Sequence, residues 1–333
     1  MPRYLDNVGK TPLVRLPMAD VAHADVFAKL EFANPTGSVK DRAAQYIIEA
    51  LLGSGEIDRD TVLIESSSGN FGIALAARAA TYGMRFICVV DPMIASANLL
   101  LLNALGAEVV QVTEPDQFGG YLKTRLRRVQ ELKRSFARSY WIDQYANPLN
   151  AEAYARTLGA ELCDALPRID YLFAGVSSGG TITGISWRMK ECFPTAKVIA
   201  VDMEGSVIFN RPSRKRYIPG IGSSIVPAIL SRAKIDDVVI VDEAETIAGC
   251  HALVREHGIF AGGSSGSVFA AISKFFRGRP AGPRAVVATL FADRGDRYID
   301  TIYDPTWAAR FTARDSFDAA SPTAQKGHLD ALS

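Results

Sequence analysis

"NPTGSVKDR", residues 34–42, sets a lysine where a helix should begin. Pro35, Thr36, Gly37 and Ser38 read as a turn, and residues 43–52 follow with the apolar spacing of an amphipathic helix. A helix dipole disfavours positive charge at the N-terminus. A lone lysine usually reads as a solvated surface group. Desolvated in a pocket at a helix N-terminus, Lys40 would instead have a lowered pKa and a reactive amine.

Outward from this stretch, strand-like and helix-like patterns alternate. Short β-branched runs cover 62–65, 85–90, 108–112, 171–176, 197–202, 237–241 and 285–290. They are apolar throughout, as strands buried on both faces should be. Helical patterns cover 72–82, 97–105, 121–139, 150–166, 181–192, 244–257 and 267–276. Strand, helix, strand predicts crossover connections and parallel sheets. The 333 residues suit two such sheets, at ~150 residues per domain, with a break near Asn147-Pro148. From about Trp307 the periodicity is lost, and the tail reads as mobile.

Hydrophobic residues make up 48% and charged residues 22%, an ordinary globular balance. A net charge of +1 argues against nucleic acid as a partner. The four cysteines, 88, 163, 192 and 250, form no CxxC pair. Cys88 and Cys250 lie in apolar stretches and read as buried free thiols of a reducing compartment. The four histidines, 23, 251, 257 and 328, make no metal-ligand spacing. The first residues, "MPRYLDNVGKTPLVRL", carry no apolar signal-peptide region. No apolar stretch approaches the ~20 residues of a bilayer span. These readings point to a cytoplasmic protein without a metal, nucleic-acid or membrane partner.

Three glycine-rich turns stand out: "ESSSGNFG" (65–72), "GVSSGGTITG" (175–184) and "AGGSSGS" (261–267). The first two follow a strand and open a helix, which aims backbone N–H groups at one spot and favours an anion there. "SSGGT" would cradle a phosphate, yet it is neither a dinucleotide fingerprint nor a P-loop. Gly/Ser clusters taken singly are usually plain loops. Together with Lys40 they suggest pyridoxal 5'-phosphate, whose aldehyde forms a Schiff base with a lysine and whose phosphate needs such a nest.

"NPTGSVKDR", "SSSGNFGIALA", "SSGGTITG", "PGIGSS" and "GIFAGGSSGS", in this order, resemble the cysteine synthase family of fold-type II pyridoxal-phosphate enzymes. The resemblance runs from about residue 8 to about residue 307. It implies an α/β fold of two three-layer αβα domains, tryptophan synthase β-like, with mostly parallel sheets and the cofactor between them. Residues 1–38 with 148–312 would form the larger domain, 39–147 the smaller mobile one, and 313–333 a flexible tail. A homodimer is also implied. Lys40 would carry the cofactor and move the substrate Cα proton. Asn70 would bond the ring hydroxyl, and Ser177, Ser178, Gly179, Gly180 and Thr181 would hold the phosphate. Ser264 would meet the pyridine nitrogen. Ser67, Ser68, Gly69 and Asn70 would grip the substrate α-carboxylate, helped by Gln144, with Gly220 of "PGIGSS" on the substrate side.

Two motifs depart from plain cysteine synthases. The substrate loop has Phe71 where the family usually has Thr, and the phosphate loop reads SSGGT rather than GTGGT. Residues 201–224 are also unusually basic. These changes, with "CVVDP", "YWIDQYAN", "GSVIF" and "LFADRGDRY", resemble a subgroup of the staphyloferrin B siderophore pathway. That subgroup joins O-phospho-L-serine and L-glutamate through an α-aminoacrylate intermediate, on the way to 2,3-diaminopropionate. The sulfhydrylase reaction of the wider family is the alternative.

Helix geometry singles out Arg125 independently. In 121–136 the apolar stripe is Leu122, Leu126, Val129, Leu132 and Phe136, and Arg127, Arg128 and Arg134 fall off it. Arg125 leans onto the stripe, three residues after Leu122 and four before Val129. A guanidinium there needs an anion, either a structural carboxylate or an acidic substrate. In the subgroup this position, with those of Tyr145 and Ser178, is implicated in substrate choice. The basic run Arg211, Arg214, Lys215, Arg216 reads either as an exposed loop or as a lid attracting acidic substrates.

Overall fold

The computed structural model describes residues 3–116, 120–277 and 283–312. The strands are β1 (Leu13–Leu16), β2 (Ala24–Leu30), β3 (Val62–Ser66), β4 (Phe86–Val90), β5 (Glu108–Gln111), β6 (Ser139–Trp141), β7 (Tyr171–Gly175), β8 (Lys197–Met203), β9 (Asp237–Val241) and β10 (Ala285–Phe291). They form a six-stranded sheet, β1-β2-β10-β7-β8-β9, and a four-stranded sheet, β5-β4-β3-β6. Every pairing is parallel except β1 with β2.

The helices are α1 (Lys40–Ser54), α2 (Asn70–Tyr82), α3 (Ser96–Ala104), α4 (Leu122–Ser135), α5 (Pro148–Tyr154), α6 (Ala160–Ala165), α7 (Gly180–Cys192), α8 (Glu243–His257), α9 (Gly263–Phe276) and α10 (Pro305–Thr312). Strand alternation sends successive side chains to opposite faces, so each sheet is covered twice. In the smaller sheet Val62, Ile64, Ile87 and Val89 pack with Val129 and Leu132 of α4. Leu63, Phe86, Cys88 and Val90 face the other way, toward Ile47, Ile73 and Leu102 of α1, α2 and α3. In the larger sheet Phe173, Ile199, Val201 and Val287 meet Ile247 and Val268 of α8 and α9. Leu172, Ala174, Val198 and Ala200 meet Ile182 and Ile185 of α7. Each fully buried Leu, Ile or Phe contributes ~1.5–3 kcal/mol. The predicted fold class, α/β with two mostly parallel sheets, is the observed one.

Three details differ from the sequence reading. β1, β2 and β6 were not expected. The predicted 150–166 helix is interrupted by a π turn at Ala155–Gly159 between α5 and α6. α10 extends regular structure past Trp307, where Trp307 and Phe311, four residues apart, bring their rings to 4.7 Å at a tilt of 47° on one side of the helix. The proposed flexible tail, 313–333, lies outside the described residues.

Candidate active site

The carboxyl ends of both sheets open into one cleft, with a cavity volume of about 390 Å³. Lys40 enters it as the first residue of α1. Its position is fixed from behind by Arg42, whose side chain is fully enclosed. Arg42 Nε and Nη2 donate to Glu31 at 2.6 and 2.8 Å, and Nη1 donates to Glu161 at 2.7 Å. Asp41 closes the preceding turn by accepting from the Thr36 N–H and hydroxyl at 2.9 and 2.8 Å.

The Lys40 nitrogen sits 3.5 Å from Thr181 Oγ1 and 5.9 Å from the centre of the Tyr154 ring. Burial brings its pKa down to about 8, with the nearby Asp293 charge opposing that shift. Desolvation is thus the cause of the lowered value.

The β7–α7 turn brings Ser177, Ser178, Gly179 and Thr181 to the same cleft. Gly179 caps α7 at φ +85°, a left-handed conformation that glycine adopts without strain. The first N–H groups of α7 have no partner within the helix and remain for an anion. Gly180 does not line the cleft. It packs instead on Asn150, whose Nδ2 would lie 2.4 Å from an added Cβ. Ser264, the second residue of α9, lines the opposite wall.

The β3–α2 turn supplies Ser67, Ser68, Gly69 and Asn70. Ser67 Oγ accepts from the Gly72 N–H at 3.0 Å and braces the loop from within. Gln144 joins it by donating Nε2–H to the Ser66 carbonyl at 3.1 Å. Buried Glu65 accepts from the backbone N–H groups of Ser66 and Gln144 at 2.7 and 3.2 Å. Desolvation raises Glu65 to about 8, against the effect of those two bonds. Tyr145 and Gly220 complete the lining, and burial pushes Tyr145 up to about 12.

Arg125 projects from α4 into the cleft. Its Nε lies 3.2 Å from Asp91 Oδ2, and its Nη1 donates to Ser68 Oγ at 3.0 Å. The anion required by the helix geometry is thus present within the chain, at the end of β4. Asp91 itself lines the cleft.

Asp91, Asp293, Arg297 and Tyr298 are cleft residues that sequence reasoning did not assign. "CVVDP" and "LFADRGDRY" contain all four, but a motif assigns no role without its tertiary partners. In the basic loop, Arg211, Arg214 and Lys215 are exposed. Arg216 is anchored, donating to the carbonyls of Gly205 and Ser223 at 2.8 and 3.3 Å. Among the described residues no metal-ligating cluster occurs, and no helix is long and apolar enough to cross a membrane.

A buried lysine of lowered pKa opposite a helix N-terminal phosphate cradle fits pyridoxal 5'-phosphate. The fold and this donor set define a fold-type II pyridoxal-phosphate enzyme. The chain belongs to the pyridoxal-phosphate dependent enzyme family, matching it over residues 4–293. It is 32% identical to an O-acetylserine dependent cystathionine beta-synthase from Helicobacter pylori, with a TM-score of 0.85, covering 91% of this chain and 99% of that one. O-ureido-L-serine synthase is 29% identical, with a TM-score of 0.83 over 95% and 98% of the two chains. A hydrogen sulfide-producing enzyme from Fusobacterium nucleatum is 28% identical, with a TM-score of 0.83 over 90% and 99%. Within the family the chain is of the cysteine synthase/cystathionine β-synthase, β-replacement type.

Proposed function

We propose that the chain joins O-phospho-L-serine and L-glutamate, giving N-(2-amino-2-carboxyethyl)-L-glutamate and phosphate. This is the reaction of N-(2-amino-2-carboxyethyl)-L-glutamate synthase, which supplies 2,3-diaminopropionate for staphyloferrin B. The observation that carries it is Arg125. Its Nε lies 3.2 Å from Asp91 Oδ2 without a hydrogen bond, its Nη1 donates to Ser68, and among the described residues its Nη2 has no hydrogen-bond partner, which leaves donors for a substrate anion. Charge-assisted bonds from a guanidinium suit the γ-carboxylate of glutamate.

Pyridoxal 5'-phosphate, when bound, supplies a sink for negative charge at the substrate Cα. Ser67, Ser68, Gly69, Asn70 and Gln144 hold the substrate α-carboxylate. Lys40 takes the Cα proton, the Cβ–O bond to phosphate breaks, and the glutamate nitrogen bonds to Cβ while its displaced N–H proton passes to the released phosphate. Lys40 then returns the proton to Cα. Ser177, Ser178, Gly179, Gly180 and Thr181 would hold the cofactor phosphate, and Ser264 would meet the ring nitrogen. Tyr145, Ser178 and Gly220 border the acidic substrates. The unit 39–147 closes on 1–38 with 148–312, in a cytoplasmic homodimer.

A second reading, cysteine synthase acting on O-acetylserine or O-phosphoserine with sulfide, is favoured by Asp91. Its charge offsets that of Arg125 and leaves the second-substrate region near neutral. The test is to give holoenzyme O-phospho-L-serine with either L-glutamate or sulfide and follow phosphate. Faster steady release with glutamate, with a product of the expected mass, supports the proposal. Release sustained by sulfide alone supports the second reading.

A further inference from the structure

One buried carboxyl in the cleft has no task in the chemistry above. Asp293 follows β10 and is 1% exposed. Its segment touches three of the elements that carry cofactor residues. The Val39 N–H, beside Lys40, donates to the Ala292 carbonyl at 2.8 Å, and the Gly262 N–H, before α9 and Ser264, donates to the Asp293 carbonyl at 3.0 Å. The third link is the side chain: Asn70 Nδ2 donates to Asp293 Oδ2 at 2.7 Å.

That bond fixes the Asn70 amide. A carboxylate only accepts, so the NH2 end of Asn70 must face Asp293. The Tyr298 hydroxyl donates to the same Oδ2 at 2.7 Å and fixes the carboxyl in turn. The other oxygen, Oδ1, is buried without a hydrogen-bond partner among the described residues. Gly262 packs so closely that an added Cβ would lie 2.1 Å from it.

We propose that Asp293 is a positioning residue for the cofactor: it orients the Asn70 amide toward the ring hydroxyl and places its charge beside the Lys40 nitrogen. This rests on the assignment of Lys40 and Asn70 to the cofactor. The titratable groups facing Asp293 are Lys40 from α1, Arg297 and Tyr298 from its own segment, Cys250 from α8, and Tyr303. Burial raises the Asp293 pKa, while the Asn70 and Tyr298 hydrogen bonds and the Arg297 and Lys40 charges favour its ionised form. In that form it stabilises a proton on the Lys40 nitrogen.

The experiment titrates the visible absorption of the bound cofactor in wild-type, Asp293→Asn and Tyr298→Phe holoenzymes, from about pH 6 to about pH 10. Loss of a facing charge moves a neighbour by about one to three pH units. The midpoint for proton loss from the Lys40 nitrogen should fall by at least about one unit in Asp293→Asn. It should fall less in Tyr298→Phe, which keeps the carboxyl but weakens its ionised form. Cofactor dissociation should be faster in both. An unmoved midpoint in Asp293→Asn overturns the proposal even if activity falls. Should Asp293→Asn not fold, an unmoved midpoint in Tyr298→Phe overturns it. A wild-type protein without any visible band refutes the cofactor assignment itself and so is told apart from either result.

Discussion

Arg125 and Asp91 pair in the lining of the cleft, Nε to Oδ2 at 3.2 Å, with Ser68 bridging them. The pair joins α4 to the end of β4 and, among the described residues, still leaves Nη2 without a hydrogen-bond partner. If Nη2 receives an acidic substrate, Asp91 competes with that substrate for one guanidinium. Asp91→Asn should therefore lower KM for L-glutamate, and Arg125→Gln should raise it. A charge-assisted bond contributes ~1.5–3 kcal/mol, or about 10- to 160-fold in kcat/KM. Steady-state kinetics in glutamate would check both signs. A shift in the same direction for both variants would exclude Arg125 as the glutamate contact.

The Arg42 network supports Lys40 at a distance. Arg42 and Glu31 have side chains with no exposure, and Glu161 shares the guanidinium. Removing one partner of such a pair leaves an uncompensated buried charge. Arg42→Met should destabilise the protein by ~3–5 kcal/mol. The urea midpoint measures the loss, and cofactor retention should fall with it, because α1 starts at Lys40.

Lys40 also couples stability to pH. Its amine is at about 8 in the folded protein, against an ordinary value of 10.5. An unfolded chain therefore binds more protons between those values, and folding stability of the cofactor-free protein rises with pH across that window. Below it the buried ammonium destabilises the fold in full. Cofactor-free Lys40→Met should be more stable than wild type near neutral pH, by on the order of 1–3 kcal/mol. The advantage should shrink as pH climbs toward 10.5. Denaturant midpoints over a pH series check it, and a gap that does not narrow contradicts the assignment.

Two glycines at helix N-termini, Gly180 of α7 and Gly69 before α2, should behave differently. An added Cβ at Gly180 would lie 2.4 Å from the Asn150 Nδ2 that donates to the Gln144 carbonyl at 2.7 Å. Gly180→Ala should destabilise the fold by ~1–3 kcal/mol and loosen Gln144. At Gly69 an added Cβ meets nothing within 4 Å. Gly69→Ala should leave stability within about 0.5 kcal/mol and act, if at all, on substrate KM. Melting temperatures and kinetics on the two variants separate these effects.

The parallel core was legible because strands such as Phe86–Val90 are buried on both faces and read as unbroken apolar runs. β1 and β2 were not, because one pairs antiparallel at an edge and both mix polar with apolar residues. β6 has only three residues, too few for a pattern. The glycine-rich turns and Lys40 were readable since their chemistry is local to a motif. Asn70 and Asp293 lie 223 residues apart, and Arg125 of α4 found its carboxylate in Asp91, just after β4. Partners of that kind exist only once the sheets have formed. Gly180 shows the converse: within a phosphate-cradle motif, its own contact is with the Asn150 side chain.

The most direct measurement is to reduce the holoenzyme with borohydride, which fixes the cofactor to the lysine that holds it, and then to map the modified peptide. The account predicts a single modified residue, Lys40, and no modification in Lys40→Ala. Attachment at any other lysine, or a reduced protein without bound cofactor, would contradict it.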